Sequence, residues 1–178
     1  MFWKTFRLPF RGIPVLLDVT FLFVLPLFAL LIGRQIVDYI RLWNWLVGGG
    51  IDNVELVLGI TPYVIGFIVA TLLFVSVVIH ELGHAVTARL YGVQTRSITL
   101  WLLGGVAAFD ERPRQRGAEA LVAIVGPITS AALGLLCLGL ARALPGNFDA
   151  VVLVLASLAW INFILAVFNL IPALPMDG

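Results

Sequence analysis

The pentapeptide His80-Glu81-Leu82-Gly83-His84 closes an apolar run covering residues 63–79. On a helix, residues four apart share a face, so His80 and His84 can bind one metal ion together. Glu81 lies one step round, close enough to reach a metal-bound water without being a ligand itself. Two imidazoles, a carboxylate base and an open coordination position are what a zinc hydrolase needs. Short H-E-x-x-H matches also occur by chance, usually on solvated helices. Depth separates this one from those, because ionisable residues inside a membrane are costly and mark function. The chain has two histidines, and both are in the motif.

The elements that must position these groups are hydrophobic. The chain is 61% hydrophobic and 12% charged, with a mean hydropathy of +1.08; soluble domains carry about twice that charged fraction. The formal net charge is +1 and the basic residues are scattered, so no nucleic-acid partner is indicated. Cys137 is the only cysteine, cannot form an internal disulfide and reads as a packed core residue. Lys4, Arg7 and Arg11 precede an apolar run that is longer than a signal-peptide core and lacks an Ala-x-Ala site, so it is a retained anchor.

Four spans are expected, at about Ile13–Gly33, Pro62–Leu90, Ala118–Ala141 and Ala150–Ile171, each near the roughly 20 residues that cross hydrocarbon. Asp18 and Pro26 fall in the first; Asp18 reads as capped, paired or interfacial. Residues 97–109 are β-prone around a Gly104-Gly105 turn and predict a short hairpin against the membrane domain. The expected fold is therefore an all-α polytopic membrane protein of about four transmembrane helices, with a membrane-associated β-hairpin between the second and third. Residues 1–178 form one membrane-embedded domain, with no soluble domain inserted between spans. Gly126, Ser130 and Gly134 recur every four residues and predict close helix approach.

Eight Lys and Arg residues gather on one side of these spans and three on the other, which places the N-terminus and the histidine end of the second span in the cytoplasm. Two imidazoles leave zinc one protein ligand short. The remaining carboxylates fall on the far side, in an arginine-rich cluster or near the start of the first span, except Asp177. Pro172 and Pro175 unwind the fourth span at the depth of the histidines, so Asp177 is the expected third ligand.

His80-Glu81-Leu82-Gly83-His84, Gly104-Gly105, Gly126-Pro127 and the stretch Asn169 to Gly178 together resemble the site-2 protease family of intramembrane zinc metalloproteases, peptidase family M50. The short connections are similar to members without an inserted PDZ domain. The resemblance implies one Zn2+ per chain held by His80, His84 and Asp177, with Glu81 as the catalytic base. It implies that Gly104 and Gly105 help hold substrate as an extended strand, and that Asn169 and Asn162 line the site. Interhelical hydrogen bonding is the competing role for both asparagines. Members often continue past the aspartate with further spans or a CBS domain, so a longer protein is expected beyond Gly178. The implied activity is regulated intramembrane proteolysis, with the bilayer and a transmembrane protein substrate as partners and the regulatory partner unknown. Two alternatives remain open: an inactive zinc-binding membrane regulator and a metal transporter.

Overall fold

The computed structural model describes residues 6–10, 13–48, 50–101, 104–109, 115, 117–145 and 147–171. Its longest element is the histidine-bearing helix. Pro62 sits in the first turn of α3 (Thr61–Leu90), where its missing amide hydrogen has no helical partner to lose. The helix runs 30 residues, about 45 Å at 1.5 Å per residue. It ends where Gly92 adopts φ +80°. Gly92 N then donates to Arg89 O and Val93 N to Ala88 O, both at 3.0 Å. This left-handed turn satisfies the last carbonyls and sends the chain back as a strand.

That strand belongs to a four-stranded sheet in the order β1 (Phe6–Phe10), β2 (Ile13–Leu17), β3 (Thr95–Trp101), β4 (Gly104–Phe109). The hairpin expected at 97–109 is β3–β4, antiparallel with Ile98 opposite Ala107 and Trp101 opposite Gly104. It extends two residues further back than the sequence indicated. Its unexpected partner is β2, which lies parallel to β3 with Val15 opposite Ile98 and Leu17 opposite Leu100. Ile13–Leu17 is therefore strand and not the start of a membrane helix. The run Ile13-Pro14-Val15-Leu16-Leu17 is apolar, and apolarity alone does not distinguish a buried strand from a helix. Pairing with β1 on one side and β3 on the other decides it here. Asp18 extends the pairing, its N donating to Leu100 O at 3.0 Å, and its Oδ1 accepts from Thr20 N at 2.9 Å. The side-chain bond closes a local turn just before the first helix.

The first helical span is correspondingly shorter and bent. α1 (Phe21–Arg34) and α2 (Ile36–Val47) meet at 55° around Gln35. In the last turn of α2, Asn44 bonds both backbone groups of Ile51, at 2.7 and 2.9 Å, and fixes the return to α3. α1 packs closely on α3, since a Cβ at Gly66 would collide with Ala29 O and lie 2.8 Å from Gly33 N. α4 (Ala118–Ala143) and α5 (Asp149–Asn169) form an antiparallel pair. α3 lies between α1 and α4 and also touches α5 and the sheet.

Among the described residues, α3, α4 and α5 are each long and apolar enough to cross a membrane, and the bent α1–α2 pair is a fourth candidate. Large apolar residues such as Phe23, Val64, Phe67, Ile128, Leu135 and Val167 point outward, which suits hydrocarbon better than water. The inner cluster joins Val15, Ile98 and Leu100 of the sheet to Leu73 and Val77 of α3. The sheet therefore covers the part of α3 that leads into the histidines.

Candidate metal centre

The helical spacing of the motif produces the expected pairing. His80 and His84 are 2% and 5% exposed, and their Nε2 atoms lie 3.2 Å apart. Their rings meet edge to face, with centroids 4.9 Å apart and planes at 74°. The Nδ1 atoms are bonded by α4. His84 Nδ1 lies 2.7 Å from Val122 O, and His80 Nδ1 lies 2.8 Å from Ser130 Oγ. A carbonyl can only accept, so His84 Nδ1 is the donor and the neutral ring carries its lone pair on Nε2.

α4 permits this because its residue between the two contacts is glycine. A Cβ at Gly126 would collide with His84 Nε2 and Cε1 and come within 2.7 Å of His80 Nε2. Val122, Gly126 and Ser130 are four apart, the same interval as the histidines they face. The motif's own glycine has a similar task, because a Cβ at Gly83 would lie 2.6 Å from Thr129 Oγ1. Glu81, 5% exposed, faces the sheet. A Cβ at Gly105 would stand 2.7 Å from Glu81 Cγ and 3.0 Å from its Oε1. β4 thus runs its backbone directly over the carboxylate. Across the site, Asn169 Nδ2 is 3.3 Å from His80 Nε2.

These donors fit zinc. Two nitrogens about 2.05 Å from a tetrahedral ion are about 3.3 Å apart, so the 3.2 Å spacing suits a shared metal. Bonding both Nδ1 atoms from outside fixes ring orientation as zinc-ligating histidines require. Among the described residues no third His, Cys, Asp or Glu joins the pair. Asp177, expected as third ligand, lies outside the described residues.

Residues 68–152, which include the motif, Gly105 and Gly126, match Peptidase family M50. A protein of Synechocystis sp., provisionally named a zinc metalloprotease, is 37% identical over 169 residues, or 94% of this chain and 40% of its own length. A zinc metalloprotease of Methanocaldococcus jannaschii is 36% identical over 167 residues, or 94% of this chain and 41% of its own. The solved site-2 protease from Methanocaldococcus jannaschii is similar in structure, with a TM-score of 0.60 and 30% identity over 98% of this chain and 68% of that one. The chain belongs to the site-2 protease family. It spans about two-fifths of the length of the two relatives matched by sequence.

Within this site-2 protease member, the residues singled out from sequence divide into three groups. His80, Glu81, His84, Gly105 and Asn169 come together at one end of α3. Asn162 is buried one level below them: its Nδ2 donates across helices to Ser76 Oγ at 3.2 Å and within its own helix to Leu158 O at 2.9 Å. Gly104 pairs with Trp101 at the turn of the hairpin. The contribution of α4 was missed. Gly126 carried the family resemblance together with Pro127, but the role read for Gly126 and Ser130 was a packing stripe, although their four-residue interval matched that of the histidines. Gly134 does serve as packing, with a Cβ there falling 2.8 Å from Phe163 Cε1 on α5.

Proposed function

We propose that this chain forms the membrane-embedded catalytic core, a single domain over residues 1–178, of a zinc endopeptidase that cuts peptide bonds within or near transmembrane segments of membrane proteins. The convergence of His80 Nε2 and His84 Nε2 at 3.2 Å beside the buried Glu81 carries this reading. His80 and His84 hold one Zn2+, and Asp177 supplies the third ligand. Zinc, when bound, acidifies a water molecule and polarises the scissile carbonyl. Glu81 takes the proton from the attacking water on its carboxylate and returns it to the leaving amine nitrogen. Asn169 Nδ2, close to His80 Nε2, donates toward the carbonyl oxygen as charge develops there.

A substrate helix keeps its amides bonded internally and must unwind before attack. β4 pairs on one side with β3 and has no further strand partner among the described residues. Its edge takes the unwound segment by strand addition, and Gly104 and Gly105 let that segment approach Glu81. Lys and Arg asymmetry supports a cytoplasmic N-terminus and a cytoplasmic opening of the site. The bilayer surrounds the multi-pass chain, and the substrate is a single-span membrane protein undergoing regulated intramembrane proteolysis.

Zinc content and cleavage of a transmembrane peptide in detergent test this together. Glu81→Gln should keep zinc while cleavage falls roughly 100-fold or more. His84→Ala should lose stoichiometric zinc, because three ligands become two. Equal, chelator-sensitive cleavage by wild type and Glu81→Gln would overturn the role of Glu81.

A further inference from the structure

Ser130 is wholly buried in α4, and its Oγ lies 2.8 Å from His80 Nδ1. We infer that Ser130 is a positioning residue for the metal site, holding His80 so that its Nε2 lone pair meets that of His84. The inference rests on the zinc site proposed above. The two histidines are not held alike. His84 is oriented by a backbone carbonyl, Val122 O, which no side-chain substitution removes. His80 is oriented by a side chain fifty residues away in sequence.

The chemistry of a hydroxyl suits this position. With the lone pair on Nε2, the ring proton sits on Nδ1 and donates to Ser130 Oγ. If the proton moves to Nε2, the hydroxyl rotates and donates to Nδ1. One residue therefore holds the ring in either tautomer, which neither an amide nor a carboxylate at the same atom achieves without flipping or changing charge. In the metal-free site Asn169 Nδ2, 3.3 Å from His80 Nε2, can only donate to that atom and so favours the first arrangement, a bond that a metal on Nε2 would replace.

Zinc affinity by chelator competition tests this on the purified protein in detergent, independently of cleavage. Ser130→Ala should bind zinc about 10- to 100-fold more weakly, the usual cost of losing an outer-shell partner. Ser157→Ala is the control. It removes another fully buried serine, on α5, whose hydroxyl donates only to Leu153 O at 2.7 Å, and it should leave zinc affinity within about threefold of wild type. Wild-type affinity in Ser130→Ala, or equal losses in both alanine variants, would overturn the inference. If Ser130→Ala does not fold, Ser130→Cys keeps the shape with a slightly larger atom that is only a weak acceptor, and the same two outcomes decide. His80→Ala separates the levels: retention of zinc there refutes the metal site itself, whereas loss of zinc there beside a wild-type Ser130→Ala refutes only the positioning role.

Discussion

Adding one methyl group at Gly126 should disable the metal site from the outside. The added Cβ would stand 2.7 Å from His80 Nε2, where ordinary contact begins at 3.4 Å, and it would collide with His84 Nε2. Relief at His80 alone needs 3.4 − 2.7 = 0.7 Å of movement, and His84 must move further. Metal–ligand distances tolerate only about 0.2 Å, so the two rings cannot both yield and still share an ion. Losing a group that merely orients a metal ligand costs about 10- to 100-fold in metal affinity, and here both ligating rings are themselves displaced. Gly126→Ala should therefore weaken zinc at least 100-fold, about 2.7 kcal/mol of binding, and overpacking should destabilise the fold by about 1–3 kcal/mol. Gly139→Ala provides the comparison on the same helix. Nothing lies within 4 Å of a Cβ there, so it should keep wild-type zinc affinity and gain up to about 1 kcal/mol of helix propensity. Chelator competition and thermal melting in detergent measure both quantities. Wild-type zinc affinity in Gly126→Ala would mean that α4 does not press on the histidines, and the geometry proposed for the site would be wrong.

Gly105→Ala should behave differently, because its Cβ meets Glu81 and not the histidines. Zinc should remain within about threefold while cleavage drops by roughly 10- to 100-fold as the base is displaced; loss of zinc would place β4 against the ligands instead. Asp177→Asn keeps shape and removes charge, so both zinc affinity and cleavage should fall at least 10-fold. Asp18→Asn should retain zinc and cleavage because that side chain accepts a bond from Thr20 N. The reverse pattern would show that the wrong carboxylate was chosen.

The features legible in the sequence were those with a short period. The histidine pair, the long apolar helices and the β3–β4 hairpin follow from spacings of four, of about 20 and of two residues. The three long helices begin and end within two residues of their expected bounds. What escaped notice depends on pairing between distant segments. β2 is a strand because β3 lies beside it 83 positions away at Val15 and Ile98, and no local pattern distinguishes that from the start of a span. Gly126 and Ser130 suffered similarly. Their small size indicated that something approaches closely, but not that imidazoles do.

The distribution of buried polarity along α3 bears on the choice between a protease and a transporter. A transporter needs polar groups along a path through the hydrocarbon, about 30 Å thick. The buried residues from Pro62 to Phe74 are Pro62, Ile65, Gly66, Val69, Ala70, Leu73 and Phe74, none of them polar. Polar burial starts at Ser76 and continues through His80, Glu81, His84 and Thr87. From Ser76 to Thr87 is eleven helical steps, about 16 Å, roughly half of a crossing. The facing side chains, Asn162 on Ser76, Asn169 and Ser130 on His80, occupy the same half. Ser157, earlier on α5, bonds within its own helix. Among the described residues the polar interior of α3 is thus closed at one end. That favours a site reached by water and substrate from a single side, as hydrolysis within a membrane requires. If so, zinc should exchange with chelator on that side alone in sealed, oriented vesicles, and zinc passing through to the opposite compartment would support the transporter.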